Sequence, residues 1–157
     1  MRFRGSVGDS AICSYCDQID WLRTMILGYF TEGELRGVAE LVQVRNAWPK
    51  VAELALTVEV PFQNQGTGSQ LLHKALVMAR NRFISTVSML CVLENNKMLH
   101  VAQNCGVRLT LREGEVEGRI LPPWPSYLSL AEEAVTEGQA LFYAAFDAPS
   151  KRTPEAA

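Results

Sequence analysis

The stretch that decides the fold of this chain is Ala52-Glu53-Leu54-Ala55-Leu56-Thr57-Val58-Glu59-Val60, with Pro61-Phe62-Gln63-Asn64-Gln65-Gly66-Thr67-Gly68-Ser69 and Gln70-Leu71-Leu72 behind it. The first part is short, apolar and rich in Val and Thr, so it reads as a strand from Ala52 to Val60 with both faces buried. Pro61 to Gly68 is a glycine-bearing turn. An amphipathic helix follows, with Leu71, Leu72, Ala75, Leu76, Ala79 and Phe83 on one face and Gln70, Lys74, Asn81 and Arg82 opposite. A strand, a glycine loop and a helix in that order make an anion site. The first backbone N–H groups of the helix lack intrahelical acceptors, and the helix dipole adds roughly half a positive charge there. Gly66 and Gly68 would let a phosphate reach the backbone with no Cβ in the way. Neither familiar phosphate pattern fits: no Lys follows Gly68 as a P-loop requires, and Leu71 stands where a dinucleotide fingerprint needs glycine.

Outward from this unit the chain alternates helix and strand signals. Asp9 or Ser10 begins a helix expected to run to about Arg23, with Ala11, Ile12, Tyr15, Ile19 and Leu22 as its stripe. Met25 to Phe30 and Leu35 to Val44 read as paired strands around Thr31-Glu32-Gly33-Glu34, with a bulge near Gly37 because the apolar residues do not alternate strictly. Downstream, Ile84 to Leu93 is a strand, Asn95 or Asn96 begins a short helix to about Asn104, and Gly106 stops it. Val107 to Leu111 and Val116 to Leu121 form a hairpin around Glu113-Gly114, and Pro122-Pro123-Trp124-Pro125 precedes a last helix from Leu128 to Phe146. The expected architecture is a mixed α/β (α+β) sheet in one domain over residues 1–147, with a flexible tail over 148–157.

Composition narrows the function. The 157 residues are 48% hydrophobic and 20% charged, which suits one soluble globular domain. No run approaches the roughly 20 apolar residues of a membrane span, and no secretory h-region follows Met1. Lys+Arg 15 against Asp+Glu 17 gives a net charge of −2, which argues against a nucleic-acid partner. Arg80-Asn81-Arg82 is the local basic cluster, and it suits a helix C-terminus. Cys13, Cys16, Cys91 and Cys105 do not form a disulfide framework, and Cys13-Ser14-Tyr15-Cys16 lacks the second ligand pair of a zinc site, so no metal is expected. Both Cys13 and Cys16 are expected to pack within their helix. A cytoplasmic enzyme or binding domain remains.

Gln63-x-x-Gly66-x-Gly68 resembles the pyrophosphate-binding motif, Q/R-x-x-G-x-G/A, of the GNAT superfamily of acyl-CoA acetyltransferases. The strand Leu54 to Val58 before it, Asn95 after the following strand, the helix Met98 to Cys105 and Gly106-Val107 fall in that family's order. The resemblance spans roughly Met25 to Leu121, and Ala52-Glu53-Leu54-Ala55 is most similar to the GNAT domains of bacterial protein acetyltransferases. It implies a mostly antiparallel central sheet flanked by helices on both faces. It also implies an N-acetyltransferase moving an acetyl group from acetyl-CoA, as co-substrate, to a primary amine. A CoA-binding regulatory or interaction module without turnover is the alternative.

By that resemblance, backbone N–H groups of Gln65, Gly66, Thr67, Gly68 and Ser69, with Gln63 and Asn64 shaping the loop, would hold the pyrophosphate. Leu56 and Val58 would align the pantetheine arm, the Val58 N–H facing the thioester carbonyl, and Asn95 would contact the same arm. Candidates for the general base are Glu53 and Glu59, which share a strand face, with Glu40 third. Glu53 is preferred because burial in the strand would raise its pKa; its structural alternative is an ion pair with Arg36 or Arg45. The family's tyrosine acid position falls on Ala102, with His100 nearby. The family's opening strand is expected to be absent or a stub around Phe3, leaving a sheet edge that invites a homodimer.

Overall fold

Leu71 and Leu72 sit on helix α2 (Thr67–Asn81) and are almost wholly buried against the sheet, and Ala75 and Ala79 continue the same stripe. Burying each leucine is worth about 1.5–3 kcal/mol. The strand before that helix, β3 (Val51–Val58), shows its Ala52 and Leu54 to the same core. The fold is thus organised around the strand–loop–helix unit. In the computed structural model, which describes residues 8–92, 96–112 and 115–146, the element order around this unit is helix α1 (Asp9–Asp17), strands β1 (Thr24–Thr31) and β2 (Glu34–Gln43), then β3 and α2. Strand β4 (Thr86–Val92), helix α3 (Asn96–Asn104), strands β5 (Arg108–Arg112) and β6 (Glu115–Ile120) and helix α4 (Tyr127–Phe146) follow.

The six strands form one sheet in the order β1-β2-β3-β4-β6-β5. Every pairing is antiparallel except β3 with β4, as an α2 crossover between them requires. The mixed, mostly antiparallel architecture is as expected. The β1–β2 register shifts between Tyr29 and Phe30, so Arg36 is the extra residue beside Gly37, where the bulge was expected.

Helices cover both faces. On one face α2 packs over β1, β2 and β3, and Ala102 of α3 joins the core formed with Ile84, Val87, Met89 and Val116. On the other face lie Ile26, Glu40, Glu53 and Ser88, a row fixed by the registers Ile26↔Glu40, Val42↔Glu53 and Glu53↔Ser88. There α1 reaches the sheet through the Tyr15 hydroxyl, which donates to Glu40 at 2.6 Å.

Several expectations need correction. Helix α1 ends at Asp17, not near Arg23, because Asp20 offers the backbone a competing turn. Its side chain accepts the Leu22 N–H, and its carbonyl accepts the N–H groups of Arg23 and Thr24. None of the residues of α1 is buried, and Cys13 and Cys16 are exposed rather than packed. Strand β3 has one buried face, not two, because α1 covers the far face thinly: Glu53 and Thr57 are exposed. Phe83 leaves the helix stripe with φ 57° and packs edge-on against Trp124. Residues 1–7, Asn95, Glu113-Gly114 and the tail over 148–157 lie outside the described residues, and so do the expectations placed on them. No helix among the described residues is long and apolar enough to cross a membrane.

Candidate functional site

Strands β3 and β4 run side by side for only three residue pairs, ending at Glu53↔Ser88. Backbone direction along β3 follows from four bonds. Val51 accepts from Val44 and Glu59 donates to Arg36, so odd-numbered residues face β2. Lys50 accepts from Ser85 and Ala52 accepts from the Ser88 hydroxyl, so even-numbered residues face β4. Past the last pair, which the Leu54 N–H closes, the carbonyl of Leu54, the backbone groups of Leu56 and the N–H of Val58 therefore face an opening, with no strand partner among the described residues. An extended polar chain laid into that opening would meet donors and acceptors at strand spacing, as an added strand does.

The glycine loop stands at the open end of this divergence. After β3, a 3-10 turn (Val60–Phe62) carries the chain to Gln63, whose side-chain amide donates to the Val58 carbonyl at 2.8 Å. The Gln65 amide donates to the Pro61 carbonyl at 2.9 Å, so Gln63 fastens the loop to the strand and Gln65 fastens it to the 3-10 turn. Gly66 caps α2 with φ 85°, a conformation that costs an L-residue about 1–2 kcal/mol. Its carbonyl accepts the Gln70 N–H at 3.0 Å. The N–H groups of Thr67, Gly68 and Ser69 precede that first helical bond and point out of the helix end without intrahelical acceptors. A Cβ added at Gly68 would lie 3.8 Å from Leu56 and 3.9 Å from Val101, so the glycine keeps open the space between α2, β3 and α3. A helix N-terminus opened by Gly66 and Gly68, beside unpaired strand backbone, can take an anionic group and an extended chain attached to it.

Lys97, in the first turn of α3, was not foreseen. Its ammonium donates to the Gln63 side-chain carbonyl at 3.0 Å, which brings a positive charge to the loop from across the opening. The signal was present in sequence: a lysine in the first turn of a helix opposes the helix dipole and calls for another reason to be there.

The carboxylates lie apart. Glu53 stands at the last β3–β4 pair, where the strands begin to diverge, on the face away from α2, and it is exposed. The expected burial is therefore overturned. Glu59 lies past the end of β3 and pairs with Arg36 at 3.1 Å, the ion pair considered for Glu53. Arg36 also pairs with Glu34 and lies over the Phe62 ring. Glu40 is buried and bonded by Tyr15. Ala102 is buried in the core, and His100 is exposed on α3. Burial pushes the Cys105 thiol up, and that cysteine lies against the core rather than in the opening. A cavity of about 620 Å³ lies elsewhere, between His73, Leu76 and Arg80 of α2 and the segment Ile120 to Pro123. It has no helix N-terminus in its wall and none of residues 63–69.

Comparison with known proteins agrees with this geometry. The model of the acetyltransferase (GNAT) family matches residues 6–107. The GNAT domain of Streptomyces lividans PAT superposes with a TM-score of 0.64 at 21% identity, over 73% of this chain and 69% of that one. Ribosomal-protein-alanine N-acetyltransferase of Brucella melitensis gives 0.62 at 16% identity, over 73% and 79% of the two chains. YncA of Salmonella typhimurium, solved with its cofactor acetyl-CoA, gives 0.63 at 15%, over 76% and 77%. No curated protein matches the sequence. At these identities the solved structures speak for the fold alone, while the family model covers well over half of the sequence. This chain belongs to the acetyltransferase (GNAT) family.

Proposed function

We propose that this protein is an N-acetyltransferase that moves the acetyl group of acetyl-CoA to a primary amine. The observation that carries the reading is the joint between Val58 and Gly68, where unpaired strand backbone leads directly to the open N-terminus of α2. Bound acetyl-CoA would supply an activated acetyl thioester. The N–H groups of Gln65 to Ser69 hold its diphosphate, with Asn64 at φ 60° turning the loop toward them. The backbone of Leu56 and Val58 aligns the pantetheine arm, and Asn95 contacts it. The Val58 N–H faces the thioester carbonyl and stabilises the oxygen as it gains charge.

Glu53 serves as general base. What supports this reading is its position at the last β3–β4 pair, on the sheet face away from α2. Being exposed, it would act on the amine through water rather than by direct contact. Glu59, held by Arg36, is a poorer candidate. With Ala102 in the core where a tyrosine acid would stand, the departing thiolate takes its proton from solvent. No metal is needed for this chemistry. The free thiols of Cys13, Cys16 and Cys105 suit a reducing compartment, which supports a cytoplasmic setting.

The same carboxylates favour a second reading, a CoA-binding module that does not turn over, since Glu40 and Glu59 are both engaged and Ala102 is apolar. Thiol release from acetyl-CoA with a panel of amines, measured beside thermal stabilisation by CoA, separates the two. Amine-dependent release supports the enzyme, and stabilisation without release supports the module.

A further inference from the structure

Helix α4 is inside out. Its polar residues face the protein: Ser129 is 2% exposed, and its hydroxyl donates to the Asn81 side chain at 2.6 Å. Asn81 in turn donates to Glu133 at 2.6 Å, Arg82 pairs with Glu133, and His73 meets Glu132 at 2.8 Å. Polar and acidic residues of α4 thus dock on the basic and amide residues of α2. The apolar residues point away. Tyr127 is 93% exposed and Leu128 83%, and Ala131, Ala134, Val135 and Gly138 recur at helical spacing on the same exposed side. An amphipathic helix ordinarily does the reverse.

We infer that the outer face of α4 is the interface of a homodimer in which two copies pack their α4 helices against each other. Three observations choose a second copy as the occupant. The stripe of Tyr127, Leu128, Ala131, Ala134, Val135 and Gly138 is itself uncharged, with the glutamates of α4 outside it, and an uncharged stripe is complementary to itself about a two-fold axis. At about 150–250 Å² for a buried aromatic, Trp124 and Tyr127 alone offer roughly 300–500 Å² per copy, and Leu128, Val135 and the small residues between them extend the patch toward the roughly 800 Å² that each partner contributes to a standard interface. Ala131, Ala134 and Gly138 would let the two helix backbones approach closely. A membrane surface fits poorly, because helices that lie on anionic lipid carry Lys and Arg beside the apolar face. Residues 127–139 contain Glu132, Glu133 and Glu137 and no basic residue.

Sedimentation of the full chain across a dilution series tests this, with Leu128→Glu and Val135→Glu as variants. The wild type should dimerise, and each variant should associate roughly 30-fold more weakly or worse, as loss of a central apolar contact implies. Both variants should keep the wild-type circular dichroism, since the altered side chains are exposed in the single chain. As a second measurement, hydrogen exchange in α4 should slow as the concentration of the wild type rises. A wild type that stays monomeric at roughly 100 µM overturns the proposal. So does a dimer that both variants leave intact, which would point to the β1 edge. Binding of the monomer to vesicles of phosphatidylcholine and phosphatidylserine, lost in Leu128→Glu, would also overturn it in favour of a membrane surface.

Discussion

The side-chain amide of Gln63 donates to the main-chain carbonyl of Val58 at 2.8 Å, so the residue that opens the glycine loop is tied to the last residue of the strand before it. The same side chain accepts from Lys97 at 3.0 Å. One glutamine therefore sets the distance between three parts of the site: strand, loop and the start of α3.

Replacing Gln63 by Leu removes both bonds and leaves the Val58 carbonyl without its partner. At about 1 kcal/mol for a net hydrogen bond, CoA affinity should fall roughly 5- to 10-fold by titration calorimetry. Thermal stability should fall by a similar free energy.

Lys97→Ala tests the charge at the loop. If the ammonium shares the diphosphate with the N–H groups of α2, the variant should bind CoA roughly 5- to 10-fold more weakly, and its affinity should depend less on salt than that of the wild type. The measurement is CoA affinity at low and high ionic strength, with dephosphorylated pantetheine as the control that should not respond.

Glu53 and Glu59 make opposite predictions. Glu53→Gln should lower kcat by about 100-fold or more with little change in KM for acetyl-CoA, the range expected for loss of a general base. Glu59→Gln breaks the exposed pair with Arg36 and should change kcat by no more than about 3-fold. Equal effects from the two variants would remove Glu53 from its role.

The Cys105 thiol gives a pH-dependent check on the packing of α3. Burial raises its pKa, so at neutral pH it holds less thiolate than an ordinary cysteine, and alkylation accelerates only at more alkaline pH. Iodoacetamide followed by mass spectrometry should label the exposed Cys13 and Cys16 before Cys105 at pH 7, with the gap narrowing as pH rises.

Much of this was legible in sequence where local and global signals agree. The unit from β3 through Gly66 to α2 combines an apolar strand, a glycine with positive φ and a helical stripe, and each implies the next. The end of α1 was not legible, because Ile19 and Leu22 continue a helical stripe while Asp20 takes over the backbone bonds. The environment of Glu53 was misread for a related reason. An apolar run around a carboxylate suggests two buried faces, but what covers the far face depends on where α1 lies, which no property of β3 encodes. Lys97 reaches Gln63 only because β4 returns the chain beside the loop, a tertiary relation between residues 34 positions apart. The last helix was expected, but which of its sides faces the protein depended on Asn81 and Arg82 taking its polar side.

The most direct test of the account is product formation. Purified protein, acetyl-CoA and a panel of primary amines, including peptide lysines and polyamines, should give thiol release matched one for one by an acetylated amine in the mass spectrum. Gly66→Val, which forces a branched side chain into a φ of 85°, should abolish both signals together. Saturable CoA binding with no acetylated product from any amine would contradict the account.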